Sequence, residues 1–78
     1  PETSIRFSLP IQQDVSLAIY DMIGRKVRMM TKKSAEPGHH VIRWNGKNQN
    51  GTVVSAGVYF YQLHTPSFSM TKKMILLK

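Results

Sequence analysis

Cysteine is absent from this 78-residue chain, which removes disulfides, thiolate nucleophiles and cysteine-ligated zinc or iron–sulfur clusters at once. Carboxylates are scarce too: four Asp and Glu stand against 11 Lys and Arg, a formal charge of +7. No apolar run is longer than Met74-Ile75-Leu76-Leu77, too short for a membrane span or a secretory h-region. An apolar share of 41% with 19% charged residues is a globular composition, not a disordered one. The length allows one small domain, residues 1–78, which buries only about 60% of the surface its unfolded chain exposes. A deep catalytic cleft is not expected in a core of that size. The chain opens on Pro1 rather than Met and reads as a piece of a longer protein.

Alternation of apolar and polar residues dominates what is present. Ile5, Phe7 and Leu9 alternate with Arg6 and Ser8, and Val15, Leu17 and Ile19 alternate with Ser16, Ala18 and Tyr20. Both segments fit half-buried strands. Asp21-Met22-Ile23-Gly24 reads as a turn, followed by a basic strand over about residues 25–31. Pro37-Gly38 marks a loop over 32–38. The next strand, about 39–45, places His40, Ile42 and Trp44 on one face. Asn45-Gly46 and Asn50-Gly51 bracket a tight exposed loop, and residues 52–54 are short strand material. Val58-Tyr59-Phe60-Tyr61-Gln62-Leu63 is the strongest β segment, and a turn at Pro66-Ser67 leads into a last strand over about 68–77. About seven strands at roughly ten-residue spacing, without a helical pattern, predict an all-β, antiparallel Greek-key sandwich. Its predicted core is Ile5, Phe7, Leu17, Ile19, Val27, Ile42, Trp44, Tyr59, Tyr61 and Leu63.

Catalytic constellations are missing. A Ser-His-Asp arrangement would have to draw on Asp14 or Asp21 and on His39, His40 or His64, with no nucleophile elbow in the sequence. A glycosidase pair would need two of Glu2, Asp14, Asp21 and Glu36 to face each other, and three of those four lie near a terminus or in loops. The expectation is no enzyme, no catalytic residue and no cofactor. His39 and His40 point to opposite faces of a strand and cannot share one metal ion. His40 is expected partly buried beside Trp44, bonded to a loop. The loop from Asn45 to Gly51 contains no carboxylate, so no calcium or other metal site is expected. Asn50-Gly51-Thr52 matches a glycosylation sequon but reads first as a turn.

The basic balance raises nucleic acid and anionic envelope surfaces as partners. Arg25, Lys26, Arg28, Lys32 and Lys33 cluster, yet no aromatic lies among them to stack bases. The cluster is read as a solvated face: no specific nucleic acid, with an anionic envelope surface retained as a partner.

Several segments together resemble a known family. Gly38-His39-His40-Val41-Ile42-Arg43-Trp44-Asn45-Gly46 is similar to the G-x-H-x-V-x-W-D/N-G motif of the C-terminal Ig-like sorting domains of the type IX secretion system. The related Ig-like domain of the flagellar hook-capping protein FlgD shares that motif. Gly51, Val54, Ser55-Ala56-Gly57-Val58-Tyr59-Phe60-Tyr61 and Leu63 resemble G-x-x-V-x-S/A-G-x-Y-x-Y-x-L. Thr3-Ser4-Ile5-Arg6-Phe7-Ser8-Leu9-Pro10 looks like the T-x-I-x-F-x-L-P opening, and Tyr20-Asp21-Met22-Ile23-Gly24-Arg25-Lys26-Val27 resembles Y-D-x-x-G-R-x-V. Lys73-Met74-Ile75-Leu76-Leu77-Lys78 looks like the basic-apolar-basic close. The loop departs from the family, with Asn45, Asn48 and Asn50 where relatives often carry aspartates.

The resemblance implies a small Ig-like sandwich whose motif residues are His40, Trp44, Gly57, Tyr59 and Tyr61. It further implies a non-catalytic domain at the C-terminus of a larger secreted protein, recognised by an outer-membrane translocon and attached at the cell surface. The expected partners are the secretion machinery or the catalytic domain of the parent protein, and the isolated domain is expected to be a monomer. In the last strand Met74 and Leu76 would pack inward while Ile75 and Leu77 face out. With Lys72, Lys73 and Lys78 these two form the candidate docking surface. Two other readings stand beside this one. One is a structural or interaction module, hook-cap-like or a spacer on a parent enzyme. The other is a carbohydrate-binding accessory module, for which Phe60 and Phe68 are the obvious aromatics.

Overall fold

A computed structural model describes residues 2–77. The alternating segments form six strands: β1 (Thr3–Leu9), β2 (Gln13–Tyr20), β3 (Lys26–Ala35), β4 (Gly38–Trp44), β5 (Gly57–His64) and β6 (Ser69–Leu76). Among the described residues there is no helix. One sheet pairs β1 with β4; the other has the order β3-β2-β5-β6, and every pairing is antiparallel. The chain is an all-β antiparallel sandwich.

The inner face of the larger sheet is built in rows across the strands. Met30, Leu17, Leu63 and Met70 stand side by side, and Arg28, Ile19, Tyr61 and Lys72 form the next inner row. Ile5, Phe7, Leu9 and Trp44 of the smaller sheet join Leu17, Ile19, Tyr61 and Leu63 in one buried cluster. Charged residues occupy only the ends of a row, where long side chains reach water past an apolar stem.

Three expectations need correction. Six strands form rather than seven, because residues 52–54 contribute only an isolated bridge between Val53 and Lys47. The Asn48 side chain accepts hydrogen bonds from the amides of Asn50 and Thr52, both at 3.0 Å, so the loop folds on itself instead of extending along a neighbour. Secondly, the strand expected over 25–31 runs on to Ala35 through a bulge. Two residues of β3 oppose Asp14 there, Ser34 takes a positive φ of 48°, and its amide donates to Asp14 Oδ1 at 2.8 Å. A side chain that supplies the missing acceptor lets pairing resume beyond an irregularity. Thirdly, Val27 and Ile42 are only partly buried, whereas Leu9, Val15, Ala35 and Leu76 are inside. Val27 lies at the second β2–β3 register shift on the sheet edge, and Ile42 belongs to the two-stranded sheet, whose small face covers less of the core.

Edge protection differs between the two ends of the larger sheet. The free side of β3 is plugged by the asparagine-rich loop: the Gln49 amide donates to the Val27 carbonyl at 3.0 Å, and Gln49 Oε1 accepts from the Met29 amide at 2.9 Å. Arg28 adds a 3.3 Å bond to the Asn48 carbonyl. At the other end β6 has β5 on one side and, among the described residues, no strand on the other, and its defence is the lysine pair, a common way to blunt an edge.

Candidate functional site

The residues of the recognisable motifs form the wall of the core. Trp44 is 1% exposed; its ring meets Tyr59 edge-on with centroids 5.1 Å apart, and its Nε1 donates to the Lys47 carbonyl at 2.9 Å. Tyr59 donates its hydroxyl to the Ser55 carbonyl at 2.6 Å. A buried ring whose single polar atom is satisfied combines large apolar area with no stranded donor. Burial raises the Tyr59 hydroxyl above the ordinary tyrosine pKa, reinforced by the charge of Asp21, and burial alone does the same at Tyr61. Gly57 takes φ +146° where β5 begins, a conformation closed to most side chains.

His40 lies in a different setting from the one its sequence neighbours imply. It stacks on Phe7, centroids 5.2 Å apart and planes 11° off parallel, not on Trp44. The register places His40 opposite Phe7, while Trp44 lies a full four residues along the same strand. The expected loop bond is present: Nε2 donates to the Glu36 carbonyl at 2.6 Å, which leaves Nδ1 as the acceptor facing Lys32 Nζ at 3.4 Å. Among the described residues no three histidines or carboxylates converge on a point.

Two serine–histidine pairs are present, Ser8 with His39 at 2.8 Å and Ser69 with His64 at 2.6 Å. Both are exposed, use Nδ1, and have no carboxylate bonded to the ring. The aspartates are occupied elsewhere. Asp21 accepts from the Ile23 and Arg25 amides and pairs with Arg25 Nε at 2.9 Å. Its partial desolvation pushes the pKa up, but the Arg25 and Ile23 bonds outweigh it and the net direction is down. Asp14 is lowered chiefly by the Ser34 amide, with Lys33 adding attraction at 3.6 Å. Each carboxylate holds a turn or bulge together.

At the end of β6, Leu76 is buried while Ile75 is 56% and Leu77 73% exposed. Two of the three docking lysines separate: Lys73 stands opposite Phe60 and shares the outer face with Ile75, whereas Lys72 stands opposite the buried Tyr61 and belongs to the inner row. Lys78 lies outside the described residues. The outer face also carries residues outside the terminal apolar run. Val58 pairs with Ile75, and the row Lys26, Tyr20, Phe60, Lys73 crosses all four strands. Strand alternation alone puts Tyr20 and Phe60 outward; that they stand side by side depends on β2 pairing with β5.

Two antiparallel sheets closed on one core make the domain a small β-sandwich. Residues 2–67 match the FlgD Ig-like domain, and the chain belongs to that family. No curated protein and no solved structure matches it.

Proposed function

We propose that this domain is a non-catalytic interaction module of an exported protein, and more specifically that it serves as a secretion and sorting signal for passage across a bacterial outer membrane and attachment at the cell surface. Family membership supports a structural or interaction module, and nothing finer. The finer reading rests on a single observation, the unbroken Met74-Ile75-Leu76-Leu77 run, in which Leu76 is buried and Met74 partly so while Ile75 and Leu77 are left in water. Contiguous exposed apolar surface on a small monomer commonly marks a partner contact. On this reading the partner is the secretion machinery, no cofactor takes part, and the basic surface lies against an anionic envelope.

Export of the parent protein tests this. Deleting residues 74–78 is expected to abolish export, and Ile75→Ser with Leu77→Ser to impair it while circular dichroism reports an intact fold. Normal secretion by the folded double variant would remove the recognition role. The hook-cap-like assembly reading is favoured by the family match itself, and it is the one retained if the double variant is exported normally.

A further inference from the structure

The outer face of the larger sheet has an organisation that a solvated face does not need. Tyr20 and Phe60 are direct cross-strand partners at its centre, and Lys26 and Lys73 are their partners on either side. Val58 and Ile75 extend the apolar strip toward the end of β6, and Met29, 45% exposed, flanks it beyond Ala18. Neither lysine has an ion-pair partner among the described residues: Asp21, Asp14 and Glu2 are taken by Arg25, Lys33 and Arg43. With strands about 4.8 Å apart, three strand steps separate the two lysine backbones by about 14 Å.

We propose that this face is a docking surface for an acidic protein partner that presents an apolar side chain between two carboxylates. Aromatic rings at the centre of a patch supply most of the contact area and charges at its rim fix orientation and encounter rate. The Tyr20–Phe60 pair is the apolar seat, and Lys26 and Lys73 are the two cationic ends. Charge decides against a second copy as the occupant, since two chains of formal charge +7 repel. It also decides for protein over nucleic acid, because two lysines bracketing an apolar centre do not track a continuous phosphate backbone. The proposal rests on the interaction-module reading and names the chemistry of its partner.

A five-residue probe fits the spacing: in acetyl-Asp-Ser-Phe-Ser-Asp-amide the carboxylates are four extended residues apart, about 13 Å. Titrated into the nitrogen-labelled domain, it is expected to shift the amides of Tyr20, Phe60 and Ile75 saturably. Lys26→Glu with Lys73→Glu should weaken that peptide at least tenfold and bind the lysine-flanked counterpart, acetyl-Lys-Ser-Phe-Ser-Lys-amide, in its place. Phe60→Ser should lose the acidic peptide, with melting temperature confirming each fold. The unmodified domain decides the matter even if a variant fails to fold. The proposal is overturned if millimolar acidic peptide leaves those amides unmoved, if duplex DNA shifts them at physiological salt and the peptide does not, or if self-association covers them. Export and peptide binding are read separately, so loss of peptide binding with an export defect at Ile75 and Leu77 defeats this surface and spares the sorting reading.

Discussion

Trp44 joins the two sheets: it extends from β4 into the cluster shared with Tyr59 and Leu76. Replacing it with Ala should cost about 3–5 kcal/mol, a large part of what holds so small a domain together, so the variant should be largely unfolded by thermal melting. Trp44→Phe keeps much of the apolar area but leaves the Lys47 carbonyl without its donor, and should fall between parent and Ala variant. Asp14 and Asp21 act on pH dependence. Because their folded pKa values are depressed, the stabilisation they contribute is complete above the unfolded-chain value of about 3.9 and disappears as pH falls through the lower folded values. Asp21→Asn should therefore melt below the parent near neutral pH and converge with it in acid. A constant gap in melting temperature across that range would remove Asp21 from the acid response.

At the scale of the element, β6 separates adjacent residues by face. Leu76→Ala should destabilise by about 2–5 kcal/mol as a core truncation, while Ile75→Ser should stay within about 0.5 kcal/mol as a surface change; chemical denaturation of the two variants reads the contrast. Edge protection at β3 is a separate matter. Gln49 closes the Val27 carbonyl and the Met29 amide in the manner of a one-residue strand. Gln49→Gly should raise the hydrogen-exchange rate of the Met29 amide and increase aggregation on heating, since an open edge is a template for pairing. The core cluster should keep its exchange protection in that variant.

The whole molecule combines a strongly basic surface with a core that includes two buried tyrosines. Their raised pKa values mean that burial stabilises the fold fully below about pH 10, and that this contribution is lost as pH rises through the higher folded values. Absorbance titration of the phenolate should show these rings ionising together with alkaline unfolding. The net charge predicts that any association with DNA is weak and falls steeply with salt. A mobility shift that survives physiological salt would overturn the reading of residues 25–33 as a solvated face.

Alternation in the sequence determined that the chain is all-β and which side of β1, β2 and β5 enters the core. It put Ile75 and Leu77 on one face, but in an unbroken apolar run only the packing of β6 decided that this face stays in water. A period of two is set by the pleat of the individual strand and needs no partner. The turn at Asp21 and Gly24 was legible for the same reason, being closed by bonds within five residues. Only the tertiary structure decided what depends on pairing between distant segments. The bulge that prolongs β3 needs Asp14 from the neighbouring strand, and the closing of the free β3 edge depends on Gln49 and Asn48 of the asparagine loop reaching it. His40 stacks on Phe7 because β4 lies against β1 in one register. The row of two lysines around two aromatics comes from two hairpins, β2–β3 and β5–β6, that lie far apart in the chain and meet through the β2–β5 pairing. Local sequence carries the direction of a side chain, whereas its neighbour across the sheet is set by long-range register.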